Sequence, residues 1–89
     1  MRTPYYSRKF EKDVKRQQKR GKDIAKLKEV VRLLIEEPML PVKYRDHNLT
    51  GNLVGFRECH IESDWLLIYK INDLEVYFVR TGSHSDLFE

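Results

Sequence analysis

Three short segments gather the groups able to move protons. One reads His60-Ile61-Glu62-Ser63-Asp64-Trp65, and another Arg80-Thr81-Gly82-Ser83-His84-Ser85-Asp86-Leu87-Phe88. The third and weakest is Asp46-His47-Asn48-Leu49-Thr50-Gly51. Each places its histidine beside aspartate or serine at a strand end or in a loop, where a rigid sheet presents side chains to a ligand. Imidazole is the natural proton carrier near neutral pH. A zinc site built from His47, His60, His84 and Asp64 is the first competitor, but the chain lacks H-x-H, H-E-x-x-H and paired-cysteine spacing. The single cysteine, Cys59, neighbours His60 on a strand and therefore points the other way, which makes a poor Cys–His nucleophile pair. No G-x-S-x-G and no phosphate-binding glycine loop is present.

Histidine, aspartate and arginine without a metal suffice to cleave RNA. The ribose 2′-OH lies beside the scissile phosphate, so no activated water is needed. A base takes the 2′-OH proton, an acid protonates the leaving 5′-oxygen, and a cation holds the extra charge on phosphorus. General acid–base help contributes roughly 10²–10⁴-fold, and charge stabilisation adds to it in a partly dry site. DNA lacks the attacking hydroxyl and would not be cut. Trp65 and Phe88 are candidates for stacking on splayed bases, with core packing and tail anchoring as their structural alternatives.

The elements that must hold these groups are legible in the patterning. Thr3 to Tyr6 reads as an opening strand, and Pro4 assigns it to a sheet edge. Ser7 caps a charged helix with the thin apolar stripe Phe10, Val14 and Gln17 or Gln18, which Gly21 stops. Asp23 caps a second helix, where Ile24, Leu27, Val30, Val31, Leu34 and Ile35 recur at helical spacing until Pro38. Met39 to Gly51 is irregular, with a short strand expected near Val42 to Tyr44. Gly55 to Ile61 alternates, setting Phe56, Glu58 and His60 against Arg57, Cys59 and Ile61. Glu62 to Asp64 turns into a central strand, Trp65 to Ile71, and Asn72-Asp73 into a last strand from Leu74 to Arg80. Thr81 to Ser83 reads as a turn and Ser85 to Glu89 as a short tail. The reading is one α+β domain over 1–89, β-α-α-β-β-β, an antiparallel sheet packed on one face by a helical hairpin.

Composition bounds the rest. Eighty-nine residues make one domain with a modest core. The net charge of +3 divides unevenly, +8 over residues 1–35 and −5 over 36–89, counted on Lys, Arg, Asp and Glu. The basic half suits a polyanion or an acidic, partly disordered protein partner. No long apolar run or signal segment is seen, so neither membrane nor secretion is expected, and one cysteine suits a reducing cytoplasm.

Asp46-His47-x-Leu49-x-Gly51, Gly55-Phe56-Arg57-Glu58-Cys59-His60-Ile61, Asp64-Trp65-Leu66-Leu67-Ile68-Tyr69 and Arg80-x-Gly82-Ser83-His84-Ser85-x-Leu87-Phe88 together resemble the YafQ branch of the RelE/ParE toxins. Lys12-Asp13-Val14-Lys15 and the second helix fit as well, and the likeness covers essentially the whole chain. It implies the toxin of a bacterial toxin–antitoxin pair, with a RelE-like fold and no metal or other cofactor. Such toxins enter the ribosomal A site and cut mRNA there. A cognate antitoxin neutralises them, and operator DNA is met only through the antitoxin complex. The branch's site residues fall on His47, His60, Asp64, Trp65, His84 and Phe88. By that likeness His84 is the candidate general acid, Asp64 or His60 the base, His47 a phosphate positioner or second proton carrier, and Arg80 a phosphate clamp. Leu53 and Val54 stand where some relatives carry an aromatic and a basic residue, and Ser63 where some carry proline. The alternative is a non-enzymatic, ParE-like gyrase inhibitor on the same fold, which has no need of three histidines and an aspartate.

Overall fold

The computed structural model describes residues 1–88. Strand β1 (Thr3–Tyr6) leads into helices α1 (Arg8–Lys19) and α2 (Ile24–Glu36), then β2 (His47–Asn48), β3 (Arg57–Glu62), β4 (Trp65–Ile71), β5 (Glu75–Gly82) and α3 (His84–Phe88). The strands form one sheet in the order β1-β5-β4-β3-β2. β1 lies at the edge, as Pro4 requires, and runs parallel to β5, while every other pairing is antiparallel.

The helix boundaries follow local chemistry. Ser7 stays extended and its hydroxyl accepts from the Phe10 amide at 2.9 Å while donating to the Val79 carbonyl at 2.7 Å. Gly21 takes φ +83°, the left-handed conformation that ends α1 cheaply. Asp23 accepts from the Ala25 amide at 3.0 Å and starts α2. The apolar stripe of α2, with Leu27, Val30 and Leu34, packs with Phe10 on Cys59, Trp65, Leu67, Tyr69, Val76 and Phe78 of the sheet. β4 is central, and its residues from Trp65 to Tyr69 are all buried.

Three local expectations are corrected. Val42–Tyr44 is a 3₁₀ turn rather than a strand, and the strand comes later, at His47–Asn48. Thr81 and Gly82 continue β5 instead of turning, paired with Leu67 and Leu66. The supposed tail is helix α3, and Glu89 lies outside the described residues. Ser83 and Asp86 close this helix start reciprocally. The Asp86 amide donates to Ser83 Oγ at 3.1 Å, and the Ser83 amide donates to Asp86 Oδ2 at 2.9 Å.

Ser7 thus bridges the α1 start and β5. Ser7→Ala is expected to lower folding stability by about 1–2 kcal/mol, measured by urea unfolding with an unchanged slope.

Candidate active site

The alternation along β3 decides which groups meet. Cys59 points into the helix-covered core, and burial pushes its thiol well above the ordinary range, so it is no nucleophile. Glu58 and His60 therefore project from the opposite face. Register places His47 opposite Glu58 and His60 opposite Leu66. The three imidazoles lie in a row, with His47 and His60 ring centroids 6.2 Å apart and His60 and His84 also 6.2 Å apart. Phe88 ends the row, 6.4 Å from His84 and 45% exposed.

Each imidazole is held differently. His84 Nδ1 lies 2.6 Å from Asp64 Oδ1, and the His84 backbone amide donates to the same oxygen at 2.9 Å. Those two contacts, the backbone one first, hold the Asp64 carboxyl below its usual range. An ionised Asp64 is an acceptor only, so His84 carries its proton at Nδ1 and turns Nε2 outward. His47 Nδ1 donates to the Arg45 carbonyl at 2.9 Å, and its Nε2 faces Glu58 Oε1. Arg45 adopts φ +50°, a left-handed strain accepted where the chain bends into β2. His60 is the recessed member, its side chain 13% exposed against 50% for His47 and 56% for His84. Its buried Nδ1 has no partner.

Glu58 was missed from the sequence, where it reads as an ordinary strand carboxylate. It is buried, with Oε1 3.4 Å from His47 Nε2 and 3.8 Å from His60 Nε2. The available signal was its i, i+2 spacing from His60 on an alternating strand.

The loops are anchored from beneath. Asp46 Oδ2 accepts from Arg57 at 2.6 and 3.1 Å and from the Tyr69 hydroxyl at 3.2 Å, and Arg57 also donates to Asn48 Oδ1 at 2.7 Å. That cluster fixes the segment carrying His47. Asp86 fixes the segment carrying His84. Arg20 donates to its two oxygens at 2.6 and 2.9 Å, which holds the carboxyl far below the usual range. Gly82 permits this closeness, because a Cβ there would sit 2.8 Å from Asp86 Oδ2 and 2.9 Å from its Cβ.

One expected RNA contact is corrected. Trp65 is fully buried and its indole N–H donates to Thr81 Oγ1 at 3.0 Å, so no ring face is left for a base. Arg80 makes a two-point pair with buried Asp13, at 2.7 and 3.2 Å, which ties β5 to α1, and its side chain stays 27% exposed. The site residues that remain together on one surface are His47, His60, Asp64, His84 and Phe88.

Residues 2–89 match the model of the family described as "Bacterial toxin of type II toxin-antitoxin system, YafQ". The chain is 50% identical over 84 residues to the mRNA interferase toxin YafQ of Escherichia coli K12, which covers 93% of this chain and 91% of the relative. Among solved structures it resembles YafQ of the E. coli DinJ–YafQ complex, with TM-score 0.92, 48% identity and full coverage of both chains. It also resembles a metal-bound toxin from Helicobacter pylori, with TM-score 0.89, 47% identity, and coverage of 99% of this chain and 100% of that one.

The Asp86 carboxyl ionises more readily folded than unfolded, so it adds stability above its unfolded pKa of about 3.9 that is lost as pH falls toward the lower folded value. Acid titration of stability should therefore show a smaller loss below about pH 4 in Asp86→Asn than in the parent chain, alongside a looser α3 in hydrogen exchange.

Proposed function

This chain belongs to the YafQ family of bacterial type II toxins, and on that premise we propose that the His47–His60–His84 row is its ribonuclease centre. As a toxin of this family it is an mRNA interferase, an endoribonuclease paired with an antitoxin. The observation that carries the assignment is the imidazole row, with His84 locked by Asp64 at one end.

His84 is the general acid. Asp64 orients the ring through Nδ1 and stabilises the imidazolium, as the carboxylate of a catalytic triad does, and the outward Nε2 gives its proton to the leaving 5′-oxygen. Asp64 itself is a weak base because its carboxyl is held low, so the base is sought at the other end of the row. His60 takes the 2′-OH proton, and His47 faces the phosphate or shares the proton. The substrate phosphodiester lies between His60 and His84, and Phe88 stacks on a flanking base. Both proton transfers and the charge on phosphorus are served by side chains, so the reaction is written as metal-independent.

A surface this small grips few nucleotides, which is why the ribosome is proposed to supply orientation in its A site. Lys9, Lys12, Lys15 and Lys19 of α1 are exposed cations for ribosomal RNA. The partner proposed for the rest of the basic helical half is an acidic, partly disordered segment of the cognate antitoxin, through which alone operator DNA is met. The place of action is the cytoplasm.

His84→Ala should fold normally by circular dichroism yet cut mRNA on translating ribosomes about 10²-fold more slowly or worse. Asp64→Asn should lose less. Product ends should carry 2′,3′-cyclic phosphate, and a 2′-deoxy nucleotide at the cut site should block cleavage. Undiminished cutting by His84→Ala would overturn the assignment.

A further inference from the structure

We propose that Phe56, Lys70, Tyr77 and Tyr5 form a binding platform for single-stranded RNA, a row on the same sheet face as the imidazoles that grips the substrate strand at a distance from the cut. Four segments of the chain supply it. The Lys70 ammonium lies over the Phe56 ring, 5.1 Å from its centre. Lys70 stands opposite Tyr77 across β4 and β5, and Tyr77 stands opposite Tyr5 across β5 and β1. The two tyrosine rings stack, with centroids 4.8 Å apart and planes 14° apart.

Alternation sets the face. Tyr69, Val76 and Phe78 join the helix-covered core, so Lys70 and Tyr77 project from the opposite side of the sheet. Cys59 imposes the same on Glu58 and His60, and Phe56 shares their parity on the chain. Leu66 is the partner of His60, and Lys70 comes four residues later on β4, which sets the row roughly 13 Å along the strand from the imidazoles. That exceeds the reach of one nucleotide and lies within the few that a small domain engages.

The chemistry favours a nucleic acid strand over a protein partner. Tyr5 is 44% and Tyr77 38% exposed, large rings left in water beside an open concavity of about 590 Å³ whose rim includes Gly55 and Val79. Lysine is depleted at the centre of protein interfaces, whereas a ring for a base and a cation for phosphate are what a single strand requires. The row holds three aromatic rings and one ammonium, and no aliphatic side chain. Continuity supplies the second argument, since a strand whose phosphodiester lies between His60 and His84 runs on over the same face. Stacking accepts any base, so the platform adds affinity without selecting sequence. That the strand held here is the cleaved one rests on the ribonuclease reading above; the binding of RNA does not.

The test is fluorescence anisotropy of the full chain with labelled single-stranded RNA, an octamer and a trimer. The octamer should bind about fivefold more tightly than the trimer or better. Tyr77→Ala should cost about fivefold or more on the octamer and nothing on the trimer, and Tyr77→Phe, which keeps the ring, should bind as the parent does. Lys70→Gln should weaken the octamer and flatten its salt dependence by about 0.7 in logarithmic slope, one phosphate contact. Both tyrosines lie at the surface, so their variants should fold, which circular dichroism checks. On ribosome-bound mRNA, Tyr77→Ala should raise KM and leave kcat unchanged, the mark of uniform binding. In a His84→Ala background the octamer should remain sensitive to Tyr77→Ala, so failure of the ribonuclease reading is told apart from failure of the platform. No octamer binding, binding unmoved by Tyr77→Ala, or equal losses in Tyr77→Phe and Tyr77→Ala overturns the platform. An acidic peptide that binds through Tyr77 where RNA does not would assign the face to a protein and overturn it too. A KM unmoved by Tyr77→Ala overturns its service to the ribonuclease.

Discussion

The register of β3 against β4 is the constraint on which the rest hangs. With Cys59 opposite Leu67, the cysteine joins the helix-covered core and both its neighbours are forced to the other face. A one-residue slip would bury Glu58 and His60 against α2 and expose Cys59. The core on one side of the sheet therefore dictates the chemistry on the other. It does so through strands whose central members are fully buried and have little freedom to shift.

Around that fixed strand, the loops and termini of the site are tied by charge. Asp46 receives Arg57 and Tyr69, Asp86 receives Arg20, and Glu62 receives Lys22 and Lys26 at 3.2 and 2.8 Å. Several cations of the basic first half are thus partly internal fittings. Arg16 and Arg20 face Asp86, and the acidic second half supplies the counter-charges. The more exposed of these pairs, such as Lys26 with Glu62, add little to global stability. Their effect is to hold two loops at the spacing that brings three rings into line.

The long elements were legible in the sequence because each carried a strong local signal. Ser7 and Asp23 supplied caps, Gly21 a stop, α2 a clean apolar stripe and β4 an unbroken apolar run. The histidines were legible too, by type and by company. What escaped depended on partners distant in the chain. The indole of Trp65 is taken by Thr81, and the guanidinium of Arg80 by Asp13, 67 positions away. Neither can be seen without the sheet. Helix α3 is the exception, since Ser83-His84-Ser85-Asp86 carries a serine–acid box, a local signal for a helix start.

Strand β1 is synthesised first, yet its only neighbour in the sheet is β5, and Ser7 bonds to Val79, 72 residues later. The first strand must wait for the last, a non-local closure of the kind that slows folding. Thr81, Gly82 and His84 are later still in the chain. A nascent copy therefore has neither a finished sheet nor the third imidazole of the row. The order of assembly postpones completion of the imidazole row until His84 has been added.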